Sequence, residues 1–371
     1  MRVVGQRAVS LSRATVLRRL LAAASLPSLA VLPPSPASAA ADAVLLPLSL
    51  CGGAYCIEYT LDSQRFRAVV DTGSPFLLVD GSCAPDDTLS ASRWGCYRGA
   101  GRDAGLEDTY EQYAGEDVGV QWRRGSLSLG GGEDGGASLA VSDAVFGVVR
   151  AYKGKGGGGA IFLGLTKARE PRIRPTFLEQ TRVAAMRFDF LGRQLTLSRA
   201  PLIDRRIDAV PLLDLRPRGA PIASYVCRIS RMTVNGRPVV LDRAAVAVID
   251  TGTTGISLPD DLMCSGRVPL PMAEASIELM TERGKACVLD ASVRRLRRGE
   301  TGPPPPEAEE FPLITTEVHV PWFEKNQSAM QSLLARRDGL GDDPLVFFVG
   351  MAFLWRRELT IDIDSRRMRI V

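Results

Sequence analysis

Two segments of this chain repeat one another. Residues Phe66–Asp80 read FRAVVDTGSPFLLVD and residues Val246–Asp260 read VAVIDTGTTGISLPD. Each is an apolar run that ends in Asp-Thr-Gly-Ser/Thr and is followed by a second short apolar run. A second element recurs downstream of each: Ala160-Ile-Phe-Leu-Gly-Leu and Val346-Phe-Phe-Val-Gly-Met are both apolar strands closed by glycine. The chain therefore reads as two similar halves, each built around one carboxylate, Asp71 and Asp250. That pattern strongly restricts the fold, because it needs a frame in which two strand-and-turn units meet.

If the halves pack about a pseudo-twofold axis, the two aspartates come together. Two carboxyl groups about 3 Å apart cannot both ionise, so they hold one shared proton and titrate as a pair. Such a pair acts as base and acid in one cycle. Gly73 and Gly252 let each turn expose its carboxylate and backbone N–H groups. Ser74 and Thr253 are placed to donate to the outer carboxylate oxygens, and Thr72 and Thr251 to bond across the junction between halves.

The rest of the chain supports a β-rich reading. Cys56–Leu61, Phe66–Asp71, Leu127–Gly130, Met186–Phe190 and Gln194–Leu197 alternate or run apolar between glycine and turn residues, as strands do. Helical periodicity is confined to Thr176–Gln180 and Gln327–Arg336. The four consecutive prolines within Gly299–Glu310 cannot lie in a central strand and mark a surface insertion. The glycine-rich stretches Gly130–Gly136 and Gly154–Gly159 separate strands; the second has Gly-Lys without the following Ser or Thr of a phosphate-binding loop.

Composition narrows the chemistry. With 45% hydrophobic and 24% charged residues the chain is of ordinary globular type. His319 is its one histidine, which makes a zinc site improbable, admits a serine or cysteine triad only through that residue, and leaves acid–base work to carboxylates. No metal or cofactor is expected. Five of the 46 basic residues fall in the first 41 positions, where there is no Asp or Glu, so the remainder carries 41 basic against 42 acidic residues. It lacks the basic footprint of a nucleic-acid-binding domain.

Arginine- and serine-rich residues 1–19, the apolar run Leu20–Leu32 and a small-residue stretch ending near Ala41 have the order of an export signal. The run is too short for a membrane span, which needs roughly 20 apolar residues. The expected destination is the secretory pathway, extracellular or vacuolar/lysosomal. The acid-free leader and Arg18-Arg19 also suit a plastid or thylakoid-lumen address. Seven cysteines, at 51, 56, 83, 96, 227, 264 and 287, follow the leader; in an exported protein that odd number allows up to three bridges and one free thiol.

The paired motifs resemble those of the pepsin-like aspartic proteases, and the resemblance runs from about Tyr55 to Val371. It rests on both Asp-Thr-Gly turns, on Phe162-Leu163-Gly164 and Phe348-Val349-Gly350, on the approach Met232-Thr-Val-Asn-Gly, and on the closing stretch from Leu359. It implies an all-β, bilobal fold with the cleft between lobes: a lobe of residues 42–200 with the first motif and one of 201–371 with the second and the insertion 299–310. It also implies a monomeric endopeptidase acting on an extended polypeptide.

The family's flap tyrosine corresponds to Tyr113, with Tyr110 as the rival, and the place of a supporting tryptophan is taken by Leu78. The resemblance further implies bridges Cys83–Cys96 and Cys264–Cys287, leaving Cys51 and Cys56 to pair locally and Cys227 unpaired. The dozen or so residues between Ala41 and a first strand near Tyr55 leave no room for the basic prosegment of tens of residues that many members carry. A catalytically silent binding or inhibitor relative is the alternative, and His319, in the alternating stretch Thr315–Val320, reads as a strand side chain.

Overall fold

The computed structural model describes residues 43–51, 53–81, 94–99, 101–113, 116–131, 137–153, 161–168, 174–214, 222–259, 262–263, 265–292, 313 and 344–371. The leader, the polyproline insertion, Gly154–Gly159, Gln327–Arg336, His319, Cys83 and Cys264 lie outside these residues. Among the described ones the chain is predominantly β, and its strands form three large sheets.

A nine-stranded sheet is drawn from residues 49–164. Its spine starts with Phe162–Gly164 beside Gln64–Asp71, continues through Tyr55–Leu61 and Glu116–Gly130, and ends with Ser138–Lys153 and Leu78–Asp80. Tyr55–Leu61 and Gln64–Asp71 form a two-residue hairpin, with Leu61 opposite Gln64. Both turn residues, Asp62 and Ser63, have positive φ, 48° and 66°, the combination whose twist matches a right-handed β-ribbon. The Asp62 carboxylate accepts from Tyr97 Oη at 2.8 Å and from Ser126 N at 2.8 Å, which holds this turn to neighbouring strands.

A seven-stranded sheet comes from residues 226–349. Its order runs Ile256–Ser257, Leu345–Val349, Ala245–Ile249, Val226–Val234, Glu274–Met280, Ala286–Ser292, with Arg237–Pro238 paired to Val226–Val234 off this path. The two sheets repeat one arrangement: each Asp-Thr-Gly strand lies parallel to the glycine-closed strand of its own half. Gly164 stands opposite Asp71, and Val349 opposite Ile249. Ala245–Ile249 is buried throughout, as is Ala68–Asp71. Burial on both faces explains why these stretches read as continuous apolar runs instead of alternating ones.

The third sheet takes strands from the two ends and the middle of the chain, in the order Ala43–Pro47, Gln194–Ser198, Ala185–Asp189, Glu358–Asp362, Arg367–Ile370, Val210–Pro211. Ala185–Asp189 pairs antiparallel with Glu358–Asp362, joining first-half and second-half chain in one hydrogen-bonded layer. The first strand thus begins at Ala43, earlier than the expected Tyr55, because Val44 and Leu46 alternate inward against Leu197 and Leu195. Tyr55, Phe190 and Phe188 stack in sequence with centroids 5.3 and 5.4 Å apart, where the first sheet meets this layer.

Helix is scarce. Thr176 caps Phe177–Thr181: its hydroxyl accepts from Glu179 N while the Glu179 carboxylate accepts from Thr176 N. A four-residue turn, Met351–Leu354, follows the second glycine-closed strand directly. No described helix is long and apolar enough to cross a membrane.

Candidate active site

The two Asp-Thr-Gly turns are locked together by their threonines. Thr72 N donates to Thr251 Oγ1 at 3.1 Å, and Thr251 N donates to Thr72 Oγ1 at 3.0 Å. Each hydroxyl then donates to the opposite strand, Thr72 Oγ1 to Ile249 O at 2.8 Å and Thr251 Oγ1 to Val70 O at 2.6 Å. Both hydroxyls use donor and acceptor capacity together, and the pattern is the same in either direction.

This clasp brings the carboxylates face to face. A Cβ on Gly73 would lie 2.6 Å from Asp250 Oδ2, and one on Gly252 would lie 2.6 Å from Asp71 Oδ1. Glycine is required at both places because the partner carboxyl occupies the space of a side chain. Inside each turn the glycine N–H points back at its own aspartate, Gly73 N to Asp71 Oδ1 at 2.7 Å and Gly252 N to Asp250 Oδ1 at 2.9 Å. The turns are supported from below by the glycine-closed strands: Gly164 N donates to Phe76 O and Gly350 N to Gly255 O, each at 2.8 Å.

Asp71 and Asp250 are fully buried. The Asp250 carboxyl is held well above the usual carboxylate range, first by burial, then by the charge of Asp71 and a hydrogen bond shared with it; the bonds from Thr253 and Gly252 pull the other way. Burial and a like charge both penalise the second ionisation, so the pair retains one proton over a range in which an isolated aspartate would have lost it.

Thr253 Oγ1 donates to Asp250 Oδ2 at 2.9 Å, as the sequence suggests. Its counterpart does not: the Ser74 hydroxyl is buried and meets no hydrogen-bonding partner among the described residues. Serine lacks the second β substituent that fixes the threonine rotamer, and its hydroxyl makes no hydrogen bond to Asp71. The dyad is symmetric in its backbone and asymmetric in its outer donors.

Leu78 is fully buried, its Cδ2 at the space a Gly147 side chain would fill, so it offers no surface to a ligand. Tyr110 and Tyr113 both lie on Thr109–Tyr113, which forms a hairpin with the first part of Glu116–Gly130; Tyr113 is paired with Glu116 at its outer end, and Tyr110 is largely exposed.

Cys51 and Cys56 form the local disulfide, and Cys96 is also disulfide-bonded. The expected Cys264–Cys287 bridge is not formed: Cys287 is a free thiol. It stands opposite Leu279 near the start of the strand Ala286–Ser292, with Sγ directed at Ile370 O, 4.0 Å away, and burial pushes its thiol up. Cys227 is free and buried, as anticipated.

Two contributors escaped the sequence. Tyr225 lies at the start of Val226–Val234, and its hydroxyl donates to Leu165 O at 2.6 Å, tying the second half to the first glycine-closed strand. Trp122 packs its indole on Phe76, five residues beyond Asp71, with centroids 5.0 Å apart. A single tyrosine or tryptophan carries no periodicity, and nothing in one sequence marks which half it will touch. Among the described residues no cluster of His, Cys, Asp and Glu could hold a metal ion. No protein-family model matches this sequence, and comparison with curated proteins finds no significant match.

Proposed function

We propose that the protein is an aspartic-type endopeptidase of pepsin-like bilobal architecture, hydrolysing extended polypeptides with a water molecule activated between Asp71 and Asp250. The observation that carries this reading is the pair of interlocked Asp-Thr-Gly turns, in which two buried carboxyls share a hydrogen bond and each occupies the space left by the other turn's glycine. A purely structural junction has no need of two like acids in contact, since burying a carboxyl beside another is costly.

The chemistry follows from the shared proton. The ionised carboxyl takes a proton from water as its oxygen attacks the scissile carbonyl carbon, while the protonated carboxyl donates to the carbonyl oxygen. The tetrahedral adduct then returns its oxygen proton, the C–N bond breaks, and the proton gained from water passes to the leaving nitrogen. The dyad ends in its starting state of one proton. Thr253 and the N–H groups of Gly73 and Gly252 hold the carboxyl planes in place throughout. The nine- and seven-stranded sheets, each contributing one turn, serve as the two lobes, and the six-stranded sheet as the base joining them.

The test is cleavage of a denatured protein substrate at acid pH and its inhibition by a statine-type transition-state mimic. Cleavage blocked by the mimic supports the reading. A folded protein that binds polypeptide without cleaving it supports the silent binding relative instead.

A further inference from the structure

Apart from the dyad, the second half holds a cavity of about 600 Å³, a size that suits small organic ligands. Its floor is one end of a face of the seven-stranded sheet. Thr233, Ser276 and Asp290 stand opposite one another on three neighbouring strands, and Glu274 stands opposite Ser292. The adjoining residues Val234, Ala275 and Ala291 are buried in the core, so strand alternation turns the polar row to the cavity.

The wall comes from the chain that follows the second glycine-closed strand. Met351–Leu354 is buried throughout, and the chain emerges at Trp355, Arg356 and Arg357. The Arg356 guanidinium lies over the Trp355 ring, 4.3 Å from its centroid. Arg357 Nη2 lies 3.8 Å from Asp290 Oδ2 and joins wall to floor. The rim is held by Asn235, whose side-chain oxygen accepts from Ala273 N at 2.8 Å and Glu274 N at 3.2 Å while its amide nitrogen donates to Pro271 O at 2.9 Å. Neither Asp71 nor Asp250 lines this cavity.

The lining selects its ligand by chemistry. Its ionisable side chains are two of each sign, Glu274 and Asp290 against Arg356 and Arg357, so neither an anion nor a cation is favoured. It offers hydroxyls that donate and accept, carboxylates that accept, and guanidiniums that donate. A sugar matches all of these: it is neutral, its hydroxyls bond in both senses, and its C–H face suits an indole. An extended peptide is better served by a sheet edge, and this floor is a sheet face.

We propose that the cavity binds a short neutral oligosaccharide, with the C–H face of one ring against Trp355 and hydroxyls bonded to Thr233, Ser276, Asp290 and Arg357. This goes beyond the peptidase reading and does not depend on it.

The experiment titrates the full chain by isothermal calorimetry with cellotetraose, xylotetraose, maltotetraose and chitotetraose, beside tetragalacturonate and tetraglycine. At least one neutral tetrasaccharide should bind with a Kd of about 1 mM or tighter. Trp355→Ala should weaken that binding at least about tenfold and Ser276→Ala several-fold, while peptide cleavage by both variants matches wild type. If Trp355→Ala does not fold, Ser276→Ala and Asp290→Asn decide the matter. Absence of binding by every neutral tetrasaccharide, tighter binding of tetragalacturonate or tetraglycine, or binding that these variants leave unchanged would overturn the inference. If the wild-type protein cleaves nothing, the peptidase reading fails and the sugar titration still decides this one.

Discussion

Thr72 and Thr251 each donate a backbone N–H to the other's side-chain oxygen, at 3.1 and 3.0 Å, across 179 residues of sequence. These bonds tie the two halves at the point where their carboxyls meet. The clasp is built from the residue that follows each aspartate, so it fixes the spacing of the dyad and the association of the halves together.

Replacing Thr251 with Val removes a hydroxyl that accepts from Thr72 N and donates to Val70 O, while keeping nearly the same volume. Two buried backbone groups lose their partner, and stability should fall by about 2–4 kcal/mol. Thr72→Val should behave alike, since its bonds mirror these. Urea unfolding of both variants and of Thr251→Ser checks this, and a serine variant no more stable than the valine one would show that the bonds contribute little.

Gly73→Ala and Gly252→Ala insert a methyl group 2.6 Å from the opposing carboxyl. The turns must separate to admit it, and a displacement of an ångström at the reacting groups should lower kcat by at least about 10²-fold. Circular dichroism should show the sheets retained. Near-normal turnover in either variant would mean that the carboxyl spacing does not limit the reaction.

The raised Asp250 carboxyl has a stability consequence of definite sign. Between the ordinary aspartate range near pH 4 and its raised folded value, the native state holds a proton that the unfolded chain has released, so stability falls as pH rises through that window. Asp250→Asn removes the penalty. The variant should gain stability over wild type at pH 7 and little or none at pH 4, measured by urea midpoints at both values. Equal midpoint differences at the two pH values would show that the pair does not retain its proton.

Thiol accessibility tests the corrected disulfide pattern. Alkylation of unfolded, unreduced protein should label Cys227 and Cys287 and leave Cys51, Cys56 and Cys96 unmodified. Opening Cys51–Cys56 by Ser substitution should cost about 2 kcal/mol, the lower end expected for so short a loop. Recovery of Cys287 in a disulfide-linked peptide would reverse the correction.

The parts legible in the sequence were those with local causes. The Asp71 and Asp250 strands announced themselves because burial on both faces demands an unbroken apolar run, and Gly73 and Gly252 because each follows its aspartate in the repeated Asp-Thr-Gly turn. Helical periodicity marked the turn at Thr176–Gln180. What stayed hidden depends on which distant segments meet. The strand Ala43–Pro47 is too short to read until Gln194–Ser198 lies beside it. Ser74 and Thr253 occupy equal places in their motifs and engage differently. Leu78, where the resemblance expects a supporting tryptophan, is apolar and fully buried, and an indole, Trp122, meets Phe76 from another strand. Cys287 is half of a bridge that the resemblance implied, and its strand leaves it a free thiol.

The proposed peptidase chemistry requires Asp71 and Asp250 to act as one proton-sharing unit. Its most direct test is the pH–rate profile of peptide hydrolysis for the wild type beside Asp71→Asn and Asp250→Asn. The wild type should give a bell whose two limbs belong to the pair, with an optimum below neutrality. Each variant should remain folded and lose at least about 10³-fold in kcat. Near-wild-type hydrolysis by either folded variant, or a profile without an upper limb, would contradict the account.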